Sequence, residues 1–303
     1  MIVLVAPGQG SQTPGFLSPW LELPGVSETL AQLSDAAEVD LVKHGTVSDE
    51  GTIKDTSIAQ PLIVAASVLT WGQLAKQTAK TPAAVAGHSV GEFAAAAVAG
   101  VLNEIDALRL VGVRGRAMAE EAGHIQTGMS AVIGGELENI QGRLTELGLQ
   151  AANMNGGGQI VVAGELNALA QLAENPIEGT RVIPLQVAGA FHTHFMQGAV
   201  EKLKAAADGV VVHEPKINIF TNKDGSEVKS GTEYLDLLVG QVSNPVRWDL
   251  CMESFEKAGV SGIIELAPAG ALVGIAKRAL RGVPSVAIKT PEDLAAAVAM
   301  LEA

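Results

Sequence analysis

At 303 residues, 48% hydrophobic and 17% charged, the chain has globular composition and room for one large domain or two. Its formal net charge of −13 argues against nucleic acid or an anionic membrane surface as partner, while leaving a local basic patch open. The single cysteine, Cys251, excludes an internal disulfide and points to a reducing, cytoplasmic setting.

Ile2–Ala6 reads as a buried strand rather than a signal peptide, because no basic segment precedes it and Pro7-Gly8 follows at once. Pro7 to Gln12 is then a glycine-rich loop. Pro61 fits the first turn of a helix running to about Gln77. Ala83–Ala86 is a short apolar strand introduced by Pro82, and Glu92–Ala99 is an alanine-rich helix. Asn103 caps a helix over Glu104–Glu121. The longest apolar run, Phe93 to Leu102, falls far short of the ~20 residues of a membrane span, so no membrane partner is expected.

The middle of the chain changes rhythm. Strands at Met129–Ile133, Leu149–Met154, Gln159–Ala163 and Arg181–Val187 alternate with helices at Leu137–Leu147 and Leu166–Ala173. The order βαββαβ is the ferredoxin-like arrangement. Residues 127–190 therefore read as a small domain inserted into a larger α/β domain made of 1–126 and 191–303. The larger domain resumes with a helix after His192, a strand at Ile217–Phe220 and helices near Tyr234 and Cys251. A strand at Gly262–Leu266, a helix at Leu272–Leu280, a strand near Val286 and a helix from Glu292 complete it.

Gly87-His88-Ser89-Val90-Gly91 fits G-x-S-x-G and lies where a strand should turn into a helix, the setting of a nucleophile elbow. A serine hydroxyl needs a base. His192 is the best candidate, since it follows the last strand of the insert, at a domain junction where pockets form. On the residues alone, it stands equally as a structural histidine. Between Ser89 and His192 the only aspartate is Asp106, and the glutamates fall mostly on faces that look solvated. A Ser–His dyad oriented by a backbone carbonyl is simpler than a triad.

The N–H of Val90, at a helix N-terminus, is one oxyanion donor, and the Gly8-Gln9-Gly10 loop offers a second if its strand neighbours the elbow strand. Arg114 has Ala107, Leu110, Val111 and Met118 around it on an apolar helix face and no acid at i±3 or i±4. Arg109 and Arg116 share the opposite face, where Arg116 can pair with Glu120. A buried guanidinium needs a partner, so Arg114 is either half of a tertiary ion pair or a two-point clamp for a substrate carboxylate. Asn153 and Asn155 flank a turn, where asparagine is usually structural. No Walker loop, dinucleotide fingerprint or metal-ligand spacing occurs, so neither a metal nor a nucleotide cofactor is expected.

Taken together, these segments resemble malonyl-CoA:acyl carrier protein transacylases over essentially the whole chain. The resemblance is carried by Pro7-Gly8-Gln9-Gly10-Ser11-Gln12, Thr56-Ser57-Ile58-Ala59-Gln60-Pro61, Gly87-His88-Ser89-Val90-Gly91-Glu92 and Arg114-Gly115-Arg116-Ala117-Met118. It continues through Ala190-Phe191-His192-Thr193, Asn244-Pro245-Val246-Arg247-Trp248 and Glu265-Leu266-Ala267-Pro268. It implies an α/β fold, a hydrolase-like core with a parallel sheet plus the inserted ferredoxin-like domain. It implies Ser89 as the acylated nucleophile, His192 as its base, Arg114 as holder of the malonyl carboxylate, and the amides of Gln9 and Val90 as the oxyanion hole. Gln241 matches the position whose backbone carbonyl orients the histidine, and Asn155 falls in a loop lining the family's cleft.

Many malonyl-specific members carry leucine where this chain has Val90, a departure that leaves a backbone role intact. Phe191 resembles malonyl-type rather than methylmalonyl-type members, which places it beside the acyl group. The implied partners are malonyl-CoA and an acyl carrier protein, with no cofactor beyond the CoA thioester, a monomeric state, and a product that feeds fatty acid or polyketide synthesis. The alternative is a serine thioesterase or hydrolase. Carrier proteins are usually acidic, so docking needs a local basic surface. Lys277, Arg278 and Arg281 form one candidate; Lys202 and Lys204 form another.

Overall fold

The computed structural model describes residues 1–303. In chain order the elements are β1 (Ile2–Ala6), α1 (Val26–Ala37), α2 (Leu41–Thr46), α3 (Glu50–Lys54), α4 (Thr56–Ala75), β2 (Ala84–Gly87), α5 (Gly91–Ala99) and α6 (Glu104–Ala122). There follow β3 (Thr127–Gly134), α7 (Leu137–Leu147), β4 (Gln150–Gly156), β5 (Gln159–Glu165), α8 (Leu166–Glu174) and β6 (Thr180–Pro184). The chain ends with α9 (Gln197–Ala207), β7 (Asn218–Phe220), β8 (Glu227–Val228), α10 (Gly231–Gly240), β9 (Val246–Arg247), α11 (Trp248–Lys257), β10 (Gly262–Glu265), α12 (Ala271–Ala279), β11 (Ser285–Ala287) and α13 (Leu294–Glu302).

A six-stranded sheet of order β11-β10-β1-β2-β7-β8 forms the larger layer. All of its pairs are parallel except β7 with the edge strand β8. Its central strands are apolar on both faces because helices cover both, the usual state of a parallel sheet. Register sets Ala6 beside Gly87 and Ala86 beside Phe220. The loops leaving β1, β2 and β7 therefore emerge together at the carboxyl edge, where open α/β sheets gather their ligands.

The second sheet has the order β6-β3-β5-β4-β9. Its first four strands pair antiparallel, and β9 adds to β4 in parallel through Asn153–Val246 and Met154–Arg247. That last strand comes from the segment after residue 191, so the middle segment does not close its sheet alone. Asn244 to Trp248, which had no role in its local sequence, is this junction.

Helix α4 starts earlier than its proline suggests. Asp55 accepts from the Ser57 backbone N–H at 2.8 Å and caps the helix at Thr56, leaving Pro61 in the second turn. This helix, and not the Phe93–Leu102 run, is the most extended apolar stretch. It is long and apolar enough to cross a membrane by length and composition, but 72% of its apolar window is buried inside the fold. The amphipathic α1, with Val26, Leu30, Leu33 and Ala37 turned inward, and the short α2 and α3 were not anticipated.

Candidate functional site

Ser89 sits where β2 turns into α5, and its φ of 53° puts a non-glycine residue in the left-handed region. Two glycines make the turn feasible. A Cβ at Gly87 would lie 2.0 Å from the Gly91 carbonyl carbon, and one at Gly91 would lie 2.3 Å from the Ala6 carbonyl oxygen. Asn222, at the end of β7 and fully buried, braces the turn. Its Oδ1 accepts from the Ser89 backbone N–H at 2.7 Å, and its Nδ2 donates to the Gly87 carbonyl at 2.7 Å. Strain of about 1–3 kcal/mol at such a backbone persists only where neighbours over-determine it.

The Ser89 Oγ lies 2.7 Å from His192 Nε2, and His192 Nδ1 lies 2.9 Å from the Gln241 backbone carbonyl. With a carbonyl as partner, Nδ1 carries the proton and donates, leaving Nε2 free to accept from the serine hydroxyl. The His192 backbone N–H donates to Val242 at 3.2 Å, and its φ of 61° is again left-handed. Burial, then the Arg114 charge, pulls the His192 imidazole down to about 3, so it is neutral at physiological pH. Both dyad members are thus held on strained backbone by tertiary hydrogen bonds.

Arg114, 1% exposed on α6, reaches Gln60 Oε1 at 2.6 Å through Nη1 and Gln241 Oε1 at 2.8 Å through Nη2. Nη2 also lies 3.4 Å from Ser89 Oγ, and Nε has no partner. No carboxylate lies within ion-pair distance of it. The tertiary ion pair is therefore not formed. The guanidinium is held by two neutral amide oxygens and abuts the nucleophile with donor capacity left over. Burial lowers its affinity for a proton to about 9, which leaves it cationic at neutral pH, and Glu92 opposes the shift. Arg116 pairs with Glu38 at 2.8 Å rather than Glu120, whose carboxylate Lys202 takes at 2.6 Å.

A cavity of about 90 Å³ opens at Ser89, lined among others by Gln9, Val90, Phe191 and His192. The backbone N–H groups of Gln9 and Val90 donate to no protein acceptor. Phe191, 6% exposed, is part of the wall. Asn155 does not line this cavity. It is buried with its Oδ1 2.8 Å from His88 Nε2, while its strand neighbour Asn153 faces the cleft. Irregular pairing between β4 and β5 on both sides of Asn153 and Met154 breaks the simple alternation that would have set the two asparagines alike.

The sequence reading missed Glu92, Gln60, Asn222 and the Gln241 side chain. Glu92, 1% exposed, accepts from the Asn222 backbone N–H at 2.7 Å and from Gln241 Nε2. Burial lifts its carboxyl to about 7. Gln60 and Glu92 lay in quoted segments without a role, whereas nothing local marks Asn222 or the Gln241 side chain. Glu265, in another quoted segment, has a structural use. Its carboxylate accepts from the Gly270, Leu272 and Val273 backbone N–H groups at 2.9–3.0 Å, at the start of α12.

The family profile described as "Acyl transferase domain" matches residues 3–296. A malonyl CoA-acyl carrier protein transacylase of Mycobacterium tuberculosis is 50% identical over 296 residues, covering 97% of this chain and 98% of that protein. A crystal structure of MCAT from Mycobacterium tuberculosis superposes with a TM-score of 0.95, covering 97% of this chain and 98% of that one at 50% identity. A malonyl-CoA:acyl carrier protein transacylase from Xanthomonas oryzae gives 0.92 at 34% identity, covering 99% and 98%.

Proposed function

The chain belongs to the malonyl-CoA:acyl carrier protein transacylase family, and from that premise we infer that the malonyl group travels through an ester on Ser89. The enzyme transfers malonyl from malonyl-CoA to an acyl carrier protein, serving fatty acid or polyketide synthesis. His192 Nε2 takes the Ser89 proton as Oγ attacks the thioester carbonyl. The free N–H groups of Gln9 and Val90 receive the developing oxyanion; removing one such donor typically costs ~10²–10³ in rate. Collapse releases the CoA thiol with the proton from His192. The phosphopantetheine thiol of the carrier then gives its proton to His192 and attacks the ester, returning Ser89 to its free form.

Arg114 selects acyl groups that end in a carboxylate, which supplies the anionic partner the guanidinium lacks within the protein. Phe191 walls the acyl site. The observation that carries this reading is the Ser89–His192–Gln241 chain of 2.7 and 2.9 Å set directly against an unpaired buried arginine. No step in this scheme calls for a cofactor.

Residues 127–190 constitute, on this reading, a ferredoxin-like domain inserted into a hydrolase-like domain of 1–126 and 191–303. The sheet order β6-β3-β5-β4 supports it, with β9 as the strand the larger part lends. The buried free thiol of Cys251 suits the cytoplasmic setting.

Intact mass after brief exposure to malonyl-CoA tests the reaction. We expect a malonyl adduct on the native protein, none on Ser89→Ala, and discharge by carrier protein. Discharge by water at the same rate would make the protein a thioesterase, and no adduct on the native chain would overturn the serine ester.

A further inference from the structure

Glu92 is a buried acid that the reaction scheme leaves without a task, yet it stands two hydrogen bonds from Arg114. The chain runs from the Asn222 backbone N–H to Glu92 Oε1, from Gln241 Nε2 to Glu92 Oε2, and from Arg114 Nη2 to Gln241 Oε1. Gln241 Nε2 also donates to the Ser89 carbonyl at 2.8 Å, so both amide hydrogens and the amide oxygen are used. Every link has a direction. The guanidinium only donates and the Ser89 carbonyl only accepts, as does Glu92 in its ionised form, so the oxygen of Gln241 must face Arg114 and its amino end must face Ser89 and Glu92 together.

We propose that Glu92 is a positioning residue for acyl selection: it sets the sense of the Gln241 amide and thereby holds Arg114 ready for the substrate carboxylate. The proposal rests on the reading of Arg114 given above. A lone amide can flip at little cost; one locked between a buried carboxylate and a buried cation cannot. Gln241 thus acts twice, through its carbonyl on His192 and through its side chain on Arg114.

The isosteric Glu92→Gln separates this role from a merely structural one. The Asn222 backbone N–H keeps an oxygen at its end of the new amide, which turns the new NH₂ towards Gln241. Gln241 then either loses this link, NH₂ against NH₂, or reverses and sets its own NH₂ against Arg114 and its oxygen against the Ser89 carbonyl; in both cases its hold on Arg114 loosens. We expect KM for malonyl-CoA to rise about tenfold with kcat little changed, since a hydrogen bond to a charged group is lost before the chemical step. The ratio of kcat/KM for malonyl-CoA over acetyl-CoA should fall by the same factor. Labelling of Ser89 by a small fluorophosphonate, which has no carboxylate, should stay within about threefold, because Asn222 still braces the elbow.

Gln241→Met, which keeps the backbone carbonyl and Glu92, should show the same loss of selectivity, and the double variant should show no more than either single one. If malonyl, acetyl and fluorophosphonate reactivities fall together, Glu92 merely supports the elbow and the proposal is wrong. Unchanged selectivity in both single variants would also sink it. Arg114→Ala, run alongside, tells the two readings apart: if that variant still prefers malonyl, the carboxylate clamp itself fails and this proposal with it.

Discussion

His192 sits in an environment far from that of a free side chain. It is 4% exposed, and the Arg114 guanidinium adds a positive charge nearby, so the protonated imidazole is disfavoured twice. The consequence for catalysis is a base that stays available as the solution is acidified. The sign for stability follows from the same shift. The unfolded chain binds a proton at His192 near pH 6.5 and the folded chain only near about 3, so the contribution of this residue is lost as pH falls through that window. We expect the His192 ring resonances, assigned by their absence in His192→Gln, to show no protonation shift between pH 8 and pH ~5. A midpoint near 6.5 would mean that the imidazole is hydrated and that its burial does not hold in solution.

The turn between β2 and α5 was the most legible element, because a short apolar strand, a glycine-flanked serine and an alanine-rich helix each speak locally. The same locality explains what stayed hidden. Glu92 in the first turn of α5 looks like an ordinary acid favoured by the helix dipole, and only partners 130 and 149 residues further along bury it. Arg116 illustrates the converse: its i+4 neighbour Glu120 is claimed by Lys202 on α9, so helical spacing named the wrong partner. Strand order in the middle segment followed from periodicity, whereas β9, two residues long, had no pattern to read. The elbow also yields a sharp expectation. In Gly91→Ala the new methyl would meet the backbone oxygens of Ala6 and Pro7 at 2.3 and 2.8 Å, and neither can move without shifting β1. We expect destabilisation of about 3 kcal/mol in urea unfolding, together with loss of malonyl-Ser89 formation. Stability equal to the native protein would show that α5 can slide off the strand and that the elbow is less constrained than its contacts indicate.

At the scale of the whole molecule, charge sets the remaining problem. A chain of net charge −13 repels an acidic carrier protein at long range, so with such a partner any short-range attraction works against that repulsion. Of the two basic candidates, Lys202 is already neutralised by Glu120 at 2.6 Å. Lys277, Arg278 and Arg281 are exposed and form no ion pair. Arg278 packs against Gly157, in the turn that joins β4 to β5. Two residues before it, Asn155 holds His88 of the elbow. The cluster is therefore tied to the elbow through the turn between β4 and β5. If it docks the carrier, attraction is local and salt weakens it: between ~20 and ~300 mM salt, KM for carrier protein should rise. Reversing all three charges to glutamate should raise that KM about tenfold, each exposed pair contributing only a fraction of a kcal/mol. Formation of malonyl-Ser89 on the same variant serves as the reference for an intact site. The opposite salt response, with KM falling as repulsion is screened and no effect of the three reversals, would assign docking to shape and the pantetheine arm alone.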